Sequence, residues 1–427
     1  MSEEKQLAKV YHFDSYWKRQ EKYDRLSNTD FDQVSWEELN PTQPYYFFVP
    51  KDFEAMEKYD KWFSVSEIFV INSNWIETHK DWIMIQFTKK QIEEIKQNFE
   101  KLSEEEIKQK YKIEKEWSEW KVRFAKKDIS NTKIVKILYR PFDVRYTLYS
   151  PNSKWVLARP RHNVMKHFLN YNIWLLVKRQ TKQDFSYSFC CNTILEACVF
   201  ESAYAKTQVF PLYLYNQDNL NQTEEKIANF NMETIAKIEE KLAIKYLWID
   251  RDPETSSGWH GSEWQNWFTA QDLFDYIYAV LHSKSYREKF QEFLKIDFPK
   301  IPFDVDKQTF FEMVKLGWEL RKYHLMEHQD IKPQNYFTSY PIEWNNLVDK
   351  IKYKDNKVFI NENQYFENVA KEVWEFYIWG YQPAQKWLKD RKWRTLNSDD
   401  IEHYIKITFV LKKTIELMEE IEKVFKI

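Results

Sequence analysis

Several residues of this chain have the types and spacing to do chemistry. His324-Leu325-Met326-Glu327-His328 matches H-x-x-E-H, an inverted zinc-peptidase pattern in which two imidazoles share a helix face and the glutamate serves as base. A zinc site needs a third protein ligand, and the sequence singles none out. Asp250, Asp252 and Glu254 could hold a cation, but Pro253 and the run Thr255-Ser256-Ser257-Gly258 place them on a loop. Cys190, Cys191 and Cys198 are odd in number and tightly bunched, which fits buried or idle thiols in a reducing compartment better than a disulfide framework. No G-x-S-x-G elbow, G-x-G-x-x-G or G-x-x-x-x-G-K-[ST] occurs, and the chain has only four glycines. Those absences exclude a self-contained dinucleotide site or P-loop. They also count against a complete S-adenosylmethionine fold, whose cofactor loop needs close backbone approach.

Charge is the stronger signal. The window 133–182 holds eleven basic residues (Lys133, Lys136, Arg140, Arg145, Lys154, Arg159, Arg161, Lys166, Lys178, Arg179 and Lys182) against one acid, Asp143, in a chain whose net charge is −2. His162 and His167 can add to it beside a polyanion. A second cluster comprises Lys386, Lys389, Arg391, Lys392 and Arg394, offset by Asp390. Aromatic residues interleave both. Solvated faces usually mix signs, so this pattern reads as the electrostatic footprint of a nucleic-acid binder, in which cations replace the counterions of phosphates.

The elements that must carry these residues can be read coarsely. Apolar runs predict short strands at 45–49, 67–71, 82–87, 133–138, 145–149, 173–177 and 209–215. Thr88 caps a predicted helix to about Leu102, with Ile92, Ile95 and Phe99 on one stripe. A charge-laced helix is expected over 103–127, and one or two helical turns over 164–169. From Leu273 the period becomes helical, and Ser398–Phe425 is expected to form a long helix capped by Ser398. The fold class is therefore α+β: a mixed, sheet-containing part followed by a mostly helical one. With 43% hydrophobic and 30% charged residues the chain is globular. It shows no signal peptide and no apolar stretch of bilayer length, which predicts a cytoplasmic protein. With glycine so scarce, positive φ must be supplied by Asn and Asp.

A family resemblance follows from ordered motifs. The run Tyr139-Arg140-Pro141-Phe142-Asp143-Val144-Arg145-Tyr146 resembles the signature of the C-terminal specificity domain of type ISP restriction–modification enzymes, single chains that join nuclease, ATP-driven translocase, adenine methyltransferase and target-recognition parts. Further matches are Arg159-Pro160-Arg161 with Val164, Met165 and His167, then Val209–Tyr215, Tyr276–Ser283, Asp297–Pro302, Gly380-Tyr381-Gln382 and Lys386-Trp387-Leu388. Lys18–Tyr23 is similar to the sequence just beyond the methyltransferase in that family. Asn40-Pro41-Thr42-Gln43-Pro44-Tyr45 is interrupted by Thr42 and Gln43, so it cannot serve as the catalytic Asn-Pro-Pro-Tyr of an adenine methyltransferase.

The resemblance implies a sequence-specific DNA-binding module that directs N6-adenine methylation and restriction carried out upstream or by a partner chain. Residues 1–45 would trail an absent methyltransferase, 46–272 would form the recognition region and 273–427 its helical C-terminal part. Duplex DNA is the implied partner. No cofactor is implied in this chain; S-adenosylmethionine, ATP and Mg belong to the absent domains. Arg140, Arg145, Arg159 and Arg161, with His162, would hold phosphates or reach guanine edges, and Lys166, Lys178, Arg179 and Lys182 would position the backbone. Asn74, Thr78 and Lys80, and Gln382, Lys386, Arg391, Lys392 and Arg394, are further candidates, while Arg140 and Asp143 could instead form an internal pair. The alternative function is an independent zinc peptidase using His324, Glu327 and His328. Finally, the family pattern commonly has glycine where this chain has Trp17, Trp62, Trp75, Trp155, Trp174, Trp379 and Trp393. That implies a source reading UGA as glycine; Trp36, Trp374 and Trp387 stand where the family favours Trp.

Overall fold

The structure, a computed structural model, describes residues 8–41, 46–50, 53–116, 118–152, 154, 156–181, 184–200, 207–215, 226–248, 266–342 and 344–427. Lys182, Trp155 and the acidic loop with Asp250, Asp252 and Glu254 lie outside them. The chain divides into two compact units, residues 1–61 and 62–427. In the smaller, β1 (Val10–His12) pairs antiparallel with β2 (Glu37–Leu39), with helix α1 (Arg19–Asn28) between them. Arg25 lies 4.1 Å from the Trp17 ring centre.

The larger unit runs β3 (Ile85–Gln86), α2 (Lys89–Lys101), β4 (Lys133–Arg140), β5 (Asp143–Tyr149), β6 (Trp174–Lys178), β7 (Phe189–Cys191), β8 (Ile194–Leu195), β9 (Thr207–Pro211), α3 (Ala270–His282), α4 (Lys307–His324), β10 (Lys352–Lys354), β11 (Lys357–Phe359), β12 (Tyr365–Phe366), α5 (Pro383–Lys389) and α6 (Ser398–Val424), with shorter pieces between. One sheet has the order β3-β5-β4-β8, antiparallel except for β4 with β8. A second has the order β9-β6-β7, and β10-β11-β12 form a third. The expected α+β class is what folds.

Local chemistry explains the elements. Thr88 accepts from Gln91 N, and Ile92, Ile95 and Phe99 are buried against Ile83, Met84 and Leu148, so α2 covers the first sheet. β6 is buried at every position, as a strand covered on both faces must be. Helices α3 and α4 pack on each other and α4 packs on α6. Gly317 stands at the α3–α4 crossing, where a Cβ would run into the Asp275 carbonyl. Arg321 donates to both oxygens of Asp275 at 2.6 and 2.8 Å beside it. Asp355 and Asn356, at φ 51° and 57°, turn β10 into β11; with Asn346 and Asn368 they are four of the fourteen described residues at positive φ, so Asn and Asp supply only part of the freedom expected of them.

Several local expectations change. The apolar run 67–71 is not a strand: Ser64 and Glu67 form a capping box that starts a short helix at Val65. Residues 81–84 are helical before β3 begins, and 46–50 carry no strand. The helix expected over 103–127 is two pieces, Glu104–Lys110 and Val122–Asp128. The 209–215 run breaks into Thr207–Pro211 and Tyr213–Tyr215. For α6 the cap is Asn397, which accepts from Asp400 N at 2.8 Å, and Ser398 is its first helical residue.

Candidate nucleic-acid interface

The β4–β5 hairpin turns through Pro141 and Phe142, with Phe142 at φ 64° and a register shift between Leu138 and Arg140. That irregularity puts Asp143 in the interior. Its carboxylate has no exposure and accepts from Arg145 at 2.7 and 3.1 Å and from Arg391 at 3.0 Å. Burial pushes the Asp143 carboxyl up, but Arg391 and Arg145 outweigh it and hold it below the ordinary carboxylate range. The guanidiniums of Arg394, Arg145 and Arg391 lie 3.6, 4.1 and 5.0 Å from the Phe87 ring centre, and His403 donates to the Phe142 carbonyl at 2.7 Å. The two basic clusters of the sequence therefore meet here. A groove of about 460 Å³ opens beside them, with Lys136, Tyr146, Arg394 and Asn397 on its walls.

The anticipated Arg140–Asp143 pair does not form. Arg140 donates to Glu196 at 3.0 Å instead, because Asp143 is already saturated by two other arginines. Arg145 and Arg391, both under a tenth exposed, are likewise committed to internal pairs.

A second hollow joins the two segments singled out in the sequence. The backbones of Glu77 and Arg159 exchange hydrogen bonds, each at 3.1 Å, which lays 72–78 alongside 159–164. Arg159 then grips Glu77 at 3.2 Å and Glu119 at 2.9 and 3.0 Å. His79 stands beside these carboxylates, the one cation-sized cluster among the described residues, and Arg159 already occupies the carboxylates. Past Pro160 the chain turns sharply, with Arg161 at φ 52°. Ser73, Pro151, Arg161, His162 and Asn163 help to line a hollow of about 500 Å³. The His162 ring bonds the Tyr149 hydroxyl at 2.9 Å; burial and then Lys166 keep it below its ordinary basicity.

Pairing separates the arginines of the window. Arg140, Arg145, Arg159 and Arg179 each hold a carboxylate, Arg179 that of Asp297 at 2.8 Å. Arg161 has no carboxylate partner among the described residues, and its Nε is buried without a hydrogen bond. Lys133, Lys136 and Lys154 are exposed and Lys166 half-buried.

The other candidates scatter. Asn74 accepts from Gln208 at 2.6 Å. Thr78 bonds Asp81 and accepts from Lys80 N. Lys80 is buried, its ammonium on the Lys115 carbonyl at 2.9 Å, and burial lowers its pKa. Lys178 is buried on β6, and burial pushes it down to about 7. Gln382 reaches the Glu375 carbonyl at 3.5 Å; Lys386 is half-buried, Lys392 exposed and Arg394 half-buried. Sequence reasoning missed Asn163 and Asn397, which line the hollow and the groove, polar residues with no charge to flag them.

The zinc-peptidase pattern does not assemble. Helix α4 ends at His324, and Met326 takes φ 59°, so His328 leaves the helix face that the motif requires. His324 is bound on both ring nitrogens, by Tyr278 at 2.5 Å and Thr414 at 2.9 Å. Glu327 accepts from Asn192 at 2.9 Å, and His328 accepts from Asp330 N while stacking on Tyr323. Cys190 and Cys191 are buried, and burial raises both thiols, Cys191 to about 12, which leaves them inert. No helix among the described residues is long and apolar enough to cross a membrane.

Comparison with known proteins bears on the same residues. The family model described as "Type ISP C-terminal specificity domain" matches residues 67–420. A search of the curated proteins finds no match. Among solved structures, the chain is similar to the ATP-dependent Type ISP restriction-modification enzyme LlaBIII bound to DNA (18% identity, TM-score 0.63, 90% of this chain and 25% of that one). It is also similar to a DrdV–DNA complex (17%, 0.67, 96% and 43%) and to a nuclease-deletion mutant of the Type ISP enzyme LlaGI with a DNA substrate mimic (17%, 0.63, 96% and 33%). The chain thus spans less than half the length of each. A match over residues 67–420, most of its length and inclusive of the buried Asp143 cluster and the Arg161 hollow, places the chain in the family of Type ISP C-terminal specificity domains.

Proposed function

We propose that this chain is a DNA target-recognition module that directs N6-adenine methylation and restriction performed by other modules, in the same polypeptide or in trans. S-adenosylmethionine, ATP and magnesium would serve those modules. The observation that carries the reading to residues is Arg161: alone among the window's arginines it lacks a carboxylate among the described residues, and it lines an open hollow with His162 and Asn163. An unpaired guanidinium at such a place suits a phosphate or the acceptor edge of guanine. Lys166 acts on the His162 ring that lines the same hollow, and Lys136 and Arg394 line the groove of about 460 Å³. Arg140, Arg145, Arg159 and Arg391 serve instead to hold the frame.

The test is duplex binding by fluorescence anisotropy, using a duplex selected from a random pool. Arg161→Ala is expected to raise Kd about tenfold or more, the equivalent of roughly 1–3 kcal/mol, with the thermal midpoint unchanged. Unchanged affinity in Arg161→Ala would remove this assignment.

A further inference from the structure

Two turns of this chain are built for glycine and hold tryptophan. Fourteen described non-glycine residues have positive φ, among them Trp379 at 55° and Trp393 at 68°, and no described glycine does. Ile378 and Tyr381 exchange backbone hydrogen bonds at 2.8 and 3.1 Å, closing a two-residue hairpin whose central residues are Trp379 and Gly380. Positive φ at the first central residue alone defines the II′ type, whose first position takes glycine. Here the order is reversed: tryptophan takes the strained position and glycine the ordinary one. Arg394 N bonds the Arg391 carbonyl at 3.0 Å, so Trp393 is the third residue of a turn with positive φ only there. That is a type II turn, which takes glycine or asparagine at that place.

The surroundings of Trp379 add a second, independent misfit. Its indole is 5% exposed, and its Nε1 is buried with no hydrogen-bond partner. The ring lies 4.1 Å from the Lys178 ammonium, itself 1% exposed and without a hydrogen-bond partner among the described residues. Buried donors in native proteins are almost always satisfied, and a ring face replaces only part of the hydrogen bonding that a buried ammonium gives up. Glycine at 379 removes the steric strain and the orphan N–H, and uncovers Lys178. Trp75, Trp174, Trp318 and Trp387 share the orphan indole, so that feature supports the case at 379 only together with the turn; the Trp174 ring centre is also only 3.3 Å from that of Phe168, closer than the roughly 4.5–7 Å of ordinary aromatic pairs. Trp120 shows the contrast: fully buried, at ordinary φ, with its indole donating to the Val156 carbonyl at 3.1 Å.

We propose that residues 379 and 393 are glycine in the protein as its source makes it, their codons being UGA read there as glycine. The chain's 19 tryptophans against four glycines follow in the same direction. The test is the codon at each position together with tandem mass spectrometry of the natural protein across 376–394. Glycine masses at 379 and 393, UGA codons there and UGG at Trp120 are the expected results; UGG codons or tryptophan masses at 379 and 393 overturn the proposal. In the tryptophan-bearing chain, Trp379→Gly with Trp393→Gly is expected to raise Tm by a few degrees, whereas Trp120→Gly lowers it. A lower Tm in the double variant would overturn the turn argument.

Discussion

Asp143 and Arg161 mark the two uses to which this chain puts its charge. Asp143 is unexposed and holds Arg145, two residues away, and Arg391, 248 residues away. Removing one partner of such a pair leaves buried charge uncompensated, so Asp143→Asn is expected to lower unfolding stability by about 3–5 kcal/mol in urea titration. Because its folded-state pKa is depressed, the stability that Asp143 contributes is present above its unfolded pKa and is lost as pH falls through the folded value. Arg161 is the converse: its charge has no carboxylate among the described residues, and its Nε is buried without a hydrogen bond. Arg145→Ala should therefore lower Tm and Arg161→Ala should not, a contrast read in one thermal-denaturation series. The sequence shows Arg140 and Arg161 as equal members of one basic run, since the carboxylate that distinguishes them is far away: Glu196 lies 56 residues beyond Arg140.

Among the elements, long helices with a cap and a stripe were legible, whereas short apolar runs were not. Thr88 with Ile92, Ile95 and Phe99 predicts α2 because cap and burial period agree. Residues 67–71 misled because a five-residue apolar run suits a strand or a buried helical turn, and only the Ser64–Glu67 box decides. For α6 the capping side chain is Asn397, and Asn397→Ala is expected to cost about 1 kcal/mol, measured by denaturant titration. The α3–α4 crossing depends on Gly317, where a methyl group meets the Asp275 carbonyl. Gly317→Ala should cost about 1–3 kcal/mol through forced separation of the helices, enough to appear as a fall in Tm. Glycine is kept at this point because two backbones touch there, whereas the β10–β11 turn manages positive φ with Asp355 and Asn356.

For the whole molecule, a net charge of −2 conceals opposed local fields. Binding should weaken steeply with salt, because each phosphate neutralised contributes about −0.9 to the slope of log K against log salt. Arg161→Ala should make that slope shallower by about one, measured by anisotropy across a salt series. Acid sensitivity has a different origin. Burial, then Lys166 and His162, push His167 down to about 4, and its Nδ1 accepts from Tyr215 N at 2.9 Å; burial takes His282 to about 3. A histidine depressed in the folded state binds fewer protons than when unfolded, so stability rises with pH across the gap. Tm should fall as pH drops from about 6.5 toward 4, and His167→Gln should remove part of that fall.

The sequence by itself determined the α+β class, the helices with strong period and caps, the basic window and the family, since each rests on local pattern or on ordered motifs. Tertiary structure alone decided which arginines are frame and which is open, that His324 and His328 cannot share a metal, and that Trp379 and Trp393 occupy glycine's places in their turns. Those outcomes depend on partners distant in sequence and on backbone angles, neither of which a residue type records.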